Sequence, residues 1–389
     1  MINNFMNMKG LESTMKKAMV ILITILLLNK PILAEVGKLG AKGAVLIESD
    51  SKRILHSVKG EQPLPMASTT KIMTCILAIE KGNLEDIVTV SKEASKAPPV
   101  KLKLKSGEKQ VLGDLLYSLM MESHNDTSVA IAEHIGGSVE EFCEMMTEKA
   151  AEIGANNTTF KTPNGLDADG HQSTPYDMAL IASYALDNPK FVEIINTPNI
   201  TIPTNPLEGS IRHDLINKNR FLHMVTGSKG VKTGYTSKAG HCFVGAAERN
   251  GMELIGVALG NFGTSGKSKK YTDVQKMIEY GFANYKPYVV LDKEQILDSV
   301  TVKTGKKESV QLRSNEQIKL PLTKDEVETV ELSVTKPQEV EAPIKEDDEI
   351  GRVDVVLNGE VLASVPLYAE EKVEKLTIFE QIKKYIKSL

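Results

Sequence analysis

The chain has 389 residues, of which 25% are charged, and a formal net charge of -4. A chain of this length exceeds what one compact core usually holds, so more than one domain is expected. The nearly balanced charge argues against nucleic acid as a partner, because nucleic-acid-binding domains carry a marked excess of Lys and Arg.

The N-terminal segment has the pattern of an export signal. Two lysines follow Met15, an apolar run covers Ala18 to Leu28, and a small residue, Ala34, ends the segment. Residues 1–34 are therefore predicted to be a signal peptide, and Met15 is an alternative start of translation. The apolar run is short for a membrane span, although an uncleaved N-terminal anchor is the alternative.

The next region, residues 35–286, mixes helices with antiparallel strands. "GAVLIES" and "RILHSV" predict two strands joined by a tight turn, and the apolar spacing of residues 65–82, 112–121 and 126–135 predicts helices. "HCFVGAAERNGMELIGVALGN" predicts a hairpin turning at Asn250-Gly251. We expect an α+β domain with an antiparallel sheet flanked by helices.

The C-terminal part has a different pattern. Short alternating runs predict a small all-β domain over residues 287–371. Residues 372–389 predict an amphipathic helix that either docks on its own protein or lies in a membrane interface. The apolar face of this helix consists of Ile378, Phe379, Ile382, Tyr385, Ile386 and Leu389. Its lysines are Lys383, Lys384 and Lys387.

Neither a metal nor a cofactor is expected. The three cysteines, Cys75, Cys143 and Cys242, are few and odd in number, so we interpret them as core residues. None of the seven histidines forms an H-E-x-x-H motif, and "GNFGTSGKS" lacks the spacing of a phosphate-binding loop.

The stretch "PMASTTKIMTCILAIEKG" places Ser68 three residues before Lys71 at the head of an apolar helix. Residues at this spacing share a helix face, so the amine can reach the hydroxyl. A lysine in a dry pocket can be neutral and can remove the serine proton. Four other S-x-x-K matches, at Ser13, Ser49, Ser106 and Ser333, open no comparable helix and are interpreted as chance matches.

Two further motifs lie downstream. Ser123 and Asn125 form the chain's one S-x-N, in a polar loop between two predicted helices, where they could relay a proton and hold a carbonyl or simply cap a helix. Lys232, Thr233 and Gly234 precede the hairpin, where a cation and a hydroxyl could grip a carboxylate.

These three motifs, in this order, resemble those of the serine-type D-alanyl-D-alanine carboxypeptidases, the low-molecular-mass penicillin-binding proteins. Segments such as "GDLLYSLMMESHNDTSVAIAEHIGG" and "GVKTGYTSKAGHCFVGAAERNG" extend the likeness over nearly the whole mature chain. The resemblance implies a penicillin-binding, serine β-lactamase-like catalytic fold, a β-rich C-terminal domain and a terminal membrane anchor.

The resemblance also implies roles for the motif residues. Ser68 would be the acylated nucleophile, Lys71 its general base and Ser123 a proton shuttle. Asn125 would hold the substrate amide.

On the third motif, Lys232 and Thr233, beside Gly234, would bind the terminal carboxylate of D-Ala-D-Ala. The backbone N–H groups of Ser68 and Tyr235 would form the oxyanion hole. No metal takes part.

The implied setting is the cell wall. The partners would be a peptidoglycan stem peptide, β-lactams as covalent inhibitors, and the outer face of the cytoplasmic membrane, where an exported protein would be held peripherally by the C-terminal helix. One departure is His124, which stands in the middle of S-x-N where Gly or Asp is expected, and which could shift the pH profile.

Two alternatives rank lower. A class A β-lactamase needs an additional carboxylate for deacylation, and no E-x-x-L-N segment lies between Ser123 and Lys232. A non-catalytic wall-binding protein would not need the complete set of motif residues. An endopeptidase would use the same residues as a carboxypeptidase, although the pair that can bind a carboxylate favours the latter.

Overall fold

The computed structural model describes residues 35–203 and 212–387. The predicted signal peptide lies outside these ranges. The described strands are, in chain order, β1 (Gly43–Glu48), β2 (Ile54–Val58), β3 (Ile87–Thr89), β4 (Lys109–Val111), β5 (Asn199–Pro203), β6 (Arg212–Ile216), β7 (Ser228–Thr236), β8 (Gly240–Arg249), β9 (Met252–Asn261), β10 (Lys286–Leu291), β11 (Ile296–Lys303), β12 (Ser309–Ser314), β13 (Ile318–Leu322), β14 (Glu331–Thr335), β15 (Glu339–Glu341), β16 (Glu349–Leu357) and β17 (Glu360–Ala369).

Helices of the described ranges alternate with these strands mainly in the first two thirds of the chain. The α-helices are α1 (Lys71–Lys81), α2 (Lys92–Lys96), α3 (Leu112–Tyr117), α4 (Asn125–Gly136), α5 (Val139–Ile153), α6 (Pro175–Leu186), α7 (Pro189–Asn196), α8 (Gly266–Asn284), α9 (Lys324–Val327) and α10 (Ile378–Lys387). Shorter turns are the 3-10 segments Ala67–Thr70 and Arg220–His223 and the π-helical segment Ser118–Glu122.

The first sheet has five strands in the order β2-β1-β9-β8-β7, and every neighbouring pair is antiparallel. Side chains of a strand alternate between the two faces of its sheet. Accordingly Val45 and Ile47 of β1 lie in the core on the side of α1, whereas Ala44 and Leu46 lie in the core on the side of α8. The predicted antiparallel sheet flanked by helices is thus confirmed.

The predicted β8–β9 hairpin is also confirmed. Asn250 and Gly251 both have positive φ, 52° and 70°. Both central residues of a type I′ turn need positive φ, which explains why this dipeptide connects the two strands.

A second sheet of six strands has the order β14-β16-β17-β12-β11-β15, in which only β11 and β15 run parallel. Strands β10 and β13 pair beside it and contribute Leu291 and Leu320 to the same core. The prediction of a β-rich C-terminal part is confirmed, and its one interruption is the four-residue helix α9. The exact domain boundaries stay predictions.

Arg53, which stands just before β2, contacts the β-rich C-terminal part. Its guanidinium donates to both carboxylate oxygens of Glu326 on α9, at 3.1 and 2.6 Å, and to the Pro321 carbonyl of β13. Bidentate pairing of this kind fixes orientation as well as distance. This contact therefore ties the β-rich part to the edge of the first sheet.

The terminal helix α10, Ile378–Lys387, lies within the segment 372–389 for which a helix is predicted. Its apolar residues Ile378, Phe379, Ile382 and Ile386 are exposed, from 53% to 86%. Across the described residues, no helix combines the length and the apolar composition needed to cross a bilayer.

Candidate active site

Ser68 lies on a tight 3-10 turn, not on the first turn of an α-helix. The sequence predicts a helix from Pro65, whereas α-helical geometry begins only at Lys71. The turn is closed by Met66, whose carbonyl accepts from the Thr69 hydroxyl at 2.6 Å and from its N–H at 3.3 Å. The half-buried Ser68 therefore stands at the head of α1, within one helical turn of Lys71.

Lys71 is fully buried, and its ammonium nitrogen has three oxygen neighbours. Nζ donates to Ser68 Oγ at 3.0 Å, to Asn125 Oδ1 at 2.8 Å and to the Asn164 carbonyl at 2.7 Å. The amide and carbonyl oxygens can only accept. A neutral Lys71 amine can give its two N–H groups to these oxygens and turn its lone pair to the Ser68 hydroxyl.

Burial lowers the pKa of Lys71 well below its usual value, because the charged ammonium loses its hydration. The positive charge of Lys232 lowers it further, while the carboxylate of Asp126 acts in the opposite direction. The site thus favours the neutral amine that a general base requires.

The loop that follows α5 supplies backbone oxygens to the site. The Asn164 carbonyl accepts from Lys71 and, at 3.2 Å, from the Ser68 hydroxyl. The preceding Pro163 carbonyl accepts from Thr74 of α1 and Ser128 of α4, each at 2.6 Å. This loop was not among the predicted site residues, because a backbone carbonyl leaves no signal in residue type.

Gly165 lets this loop approach the nucleophile. Its φ is +82°, and a Cβ built on it would lie 2.0 Å from the Ala67 carbonyl oxygen and 2.9 Å from the Ser68 nitrogen. Only glycine fits such a close approach of two backbones.

The S-x-N residues lie at the junction of the π-helical segment and α4. Ser123 adopts left-handed geometry with φ +69°, and Asn125 is the first residue of α4. The Asn125 amide nitrogen donates to the carbonyls of Pro98 and Pro99, both at 3.1 Å, while its oxygen accepts from Lys71. Among the described residues no hydrogen bond is recorded for the half-buried Ser123 hydroxyl. Asn125 is therefore directly coupled to the base, and Ser123 keeps its hydroxyl available.

Strand β7 carries the third motif along the edge of the first sheet. A Cβ on Gly234 would lie 2.7 Å from the Ser68 nitrogen, so β7 passes directly against the nucleophile turn. Thr233 is half-buried and Tyr235, with 58% of its surface exposed, extends into solvent.

Lys232 is 98% buried, and burial together with the charge of Lys270 lowers its pKa to about 7. Its nitrogen donates to the Thr233 carbonyl at 3.1 Å. Among the described residues this backbone carbonyl is its one hydrogen-bond partner, so an anionic group bound here would stabilise the charged form of Lys232.

The remaining predictions concern the cysteines and metal binding. Cys75, Cys143 and Cys242 are free and buried, as expected, and burial raises the pKa of each thiol. Within residues 35–203 and 212–387, no group of three or more His, Cys, Asp or Glu side chains is arranged to hold a metal ion.

Two family models match this chain. The model described as D-alanyl-D-alanine carboxypeptidase matches residues 30–263, and the model described as penicillin-binding protein 5, C-terminal domain, matches residues 285–375.

Individual relatives extend over most of the chain. D-alanyl-D-alanine carboxypeptidase DacF of Bacillus subtilis is 35% identical over 348 residues, which is 86% of each chain. DacC of Escherichia coli is 30% identical over 363 residues, covering 90% of this chain and 88% of that protein. Among solved structures, penicillin-binding protein 5 of Haemophilus influenzae aligns with a TM-score of 0.75 and 28% identity over 87% of this chain and 98% of that chain.

The family model covers well over half of the chain, and the relatives match it nearly end to end. The resemblance seen in the motifs is thereby confirmed. This protein belongs to the D-alanyl-D-alanine carboxypeptidase family, the low-molecular-mass penicillin-binding proteins, and is a serine-type peptidase.

Proposed function

We propose that this protein removes the terminal D-alanine from peptidoglycan stem pentapeptides through an acyl-enzyme on Ser68. The observation that carries the proposal is the position of Lys71 Nζ, 3.0 Å from Ser68 Oγ and 2.8 Å from Asn125 Oδ1. This geometry supports proton removal by a neutral amine at the moment of attack.

In the first half of the reaction, Lys71 takes the proton of Ser68 as Oγ bonds to the carbonyl carbon of the penultimate D-alanine. The oxyanion that forms is bound by the backbone N–H groups of Ser68 and Tyr235, and the contact between Gly234 and the Ser68 turn supports this pairing. Ser123 passes a proton to the amine of the departing D-alanine when the amide bond breaks.

In the second half, Lys71 takes a proton from water as the water oxygen attacks the ester carbonyl carbon. The bond to Ser68 Oγ then breaks, Lys71 returns the proton to Oγ, and the peptide, shortened by one residue, leaves with a terminal carboxyl group. Until the D-alanine departs, Lys232 and Thr233 hold the substrate's terminal carboxylate, a role that accounts for the burial of Lys232. Asn125 holds the substrate amide, and its nitrogen exchanges a proline carbonyl for the substrate carbonyl as the peptide binds. β-Lactams enter the same site and leave a stable acyl group on Ser68.

We place the protein outside the cytoplasmic membrane, exported by residues 1–34 and attached peripherally through α10. The exposed apolar face of this helix, formed by Ile378, Phe379, Ile382 and Ile386, supports insertion into the headgroup region.

The test is labelling of the mature chain with fluorescent penicillin, alongside release of D-alanine from a pentapeptide ending in D-Ala-D-Ala. We expect stable labelling and D-alanine release, both abolished in Ser68→Ala. The matched control is Ser333→Ala, which removes an exposed serine from another S-x-x-K match on β14 and should leave both readouts unchanged.

Two results would contradict the proposal. Rapid turnover of the penicillin would indicate a β-lactamase. Absence of both labelling and D-alanine release would indicate a non-catalytic wall-binding protein.

A further inference from the structure

The left-handed backbone at Ser123 is the starting observation. Its φ of +69° is uncommon for a residue that is not glycine, and such geometry persists where neighbouring contacts fix it. Both residues that flank Ser123 are anchored, one on each side.

On the N-terminal side the anchor is Glu122. Its Oε1 accepts from the Ile216 N–H at 3.0 Å and from Lys218 Nζ at 3.1 Å. The backbone of Lys218 also donates to the Met121 carbonyl at 3.1 Å. The chain before Ser123 is thus attached to β6 and to the segment that follows it.

On the C-terminal side the anchor is His124, whose side chain is turned into the protein and is 5% exposed. Its Nδ1 lies 2.8 Å from the Ser118 hydroxyl, which in turn lies 2.9 Å from the Thr127 hydroxyl. Its Nε2 lies 3.5 Å from Glu122 Oε2. One imidazole, which follows Ser123 in the chain, therefore contacts both ends of the π-helical segment that precedes Ser123.

The partners set the proton positions. The Glu122 carboxylate can only accept, so the tautomer that suits both partners carries the imidazole proton on Nε2 and lets Nδ1 accept from the Ser118 hydroxyl. Ser118 can then accept from Thr127. In this arrangement Nε2–H points to Glu122, the Ser118 hydroxyl donates to Nδ1 and the Thr127 hydroxyl donates to Ser118. Each of these protons has an acceptor within the chain of groups only while His124 is neutral with this tautomer.

We propose that His124 is a positioning residue for acylation, which holds Ser123 and Asn125 in place through its contacts with Ser118 and Glu122. The inference rests on the proposed function and deepens it. His124 touches no reacting atom. It acts through Asn125, which follows it directly and whose oxygen binds Lys71.

The charged and titratable groups around His124 come from several elements. Burial is the main reason that its pKa is lowered, with Lys71 and His213 acting in the same direction and Asp126 and Glu122 opposing them. Lys218, which pairs with Glu122, adds a further positive charge to the surroundings. The lowered pKa of His124 favours the neutral imidazole, which the bonding chain through Ser118 requires.

The experiment is stopped-flow acylation by penicillin, which separates the acylation rate constant from the dissociation constant of the first complex. Rates are normalised to active sites by penicillin titration. Because a displacement of about 1 Å can lower a rate by about 100-fold, we expect His124→Ala to lower the acylation rate constant by about 10- to 100-fold. The dissociation constant should change little.

His124→Asn is the conservative variant, since its amide oxygen can accept from Ser118 near the position of Nδ1. It should restore the rate to within a few-fold of the wild type. Ser118→Ala keeps the imidazole but removes its partner, and should also slow acylation. The matched control is His134→Ala, which removes an exposed histidine from α4, the helix that begins directly after His124.

The outcomes are distinct. If His124→Ala is acylated as fast as the wild type, or if His124→Asn is as slow as His124→Ala, the positioning role is refuted. If the wild type itself is not acylated, the proposed function fails first and this inference falls with it.

Discussion

Gly165→Ala should disturb the active site by pushing the loop that carries Asn164 away from the nucleophile turn. The added Cβ would lie 2.0 Å from the Ala67 carbonyl oxygen. Even a very tight contact needs about 3 Å, so the two backbones must separate by about 1 Å. The Asn164 carbonyl, now 2.7 Å from Lys71 Nζ, would then move beyond hydrogen-bond distance.

The expected cost has two parts. An alanine at φ +82° is destabilised by about 1 kcal/mol relative to glycine, and loss of a hydrogen bond to buried Lys71 costs about 1–3 kcal/mol. The free energy of unfolding should therefore fall by about 2–4 kcal/mol in total. Because a displacement of 1 Å at a reacting group can lower a rate by about 100-fold, penicillin acylation should slow by a similar factor.

Gly170→Ala is the matched control. Gly170 lies in the same loop with φ +77°, but its added Cβ would meet only Lys161 Cε, at 3.9 Å. It should lose about 1 kcal/mol from the backbone alone and acylate normally. Stopped-flow acylation and thermal unfolding of both variants give the comparison. Equal acylation rates in the two variants would refute the argument from close approach.

Three further predictions concern charge. Lys232→Met removes a positive charge near Lys71 and should raise the pKa of Lys71. The acid limb of the pH profile of the acylation rate should therefore move to higher pH, whatever the maximal rate of the variant. An acid limb at the same pH as in the wild type would contradict this coupling. Burial lowers the pKa of His171 to about 4 from 6.5, so the folded state resists protonation and stability should fall by about 3 kcal/mol between pH 6.5 and pH 4. Urea unfolding of His171→Gln should not show this fall in stability between pH 6.5 and pH 4. An equal fall in the variant would assign the loss of stability to other groups. Arg53→Ala breaks the contact with Glu326 and should lower the free energy of unfolding by about 1.5–3 kcal/mol. The calorimetric unfolding transition should split in two, and the activity should stay intact. In the control Lys303→Ala the lost ion pair with Glu339 is exposed, so the unfolding transition should hardly shift. A single unshifted transition in Arg53→Ala would argue against the link.

Sequence reasoning identified the site residues whose side chains have recognisable chemistry. Ser68, Lys71 and Asn125 are joined by hydrogen bonds, and Gly234 brings β7 against the nucleophile turn. The order of the three motifs along the chain made this prediction possible. Their catalytic roles stay predictions until the variants are measured.

Other features left little or no signal in the sequence. Pro163 and Asn164 act through backbone carbonyls, for which any residue type would serve chemically. Helix α8 was not predicted although it covers one face of the first sheet, because its buried residues, such as Val274 and Ile278, are interspersed with many polar ones. The close approach of β7 and of the Asn164 loop to the turn that carries Ser68 joins segments that are distant in sequence, so local patterns do not reveal it.

The two carbonyls of Pro163 and Asn164 have a consequence for protein engineering. Between them they accept from side chains of both α1 and α4, so the two helices that carry the first two motifs are aligned by one short loop. A Ser-x-x-Lys helix transplanted into another scaffold would bring the nucleophile and the base but not these acceptors. Its lysine would then have no fixed direction for its lone pair, and the graft should remain inactive until such a loop is built opposite it.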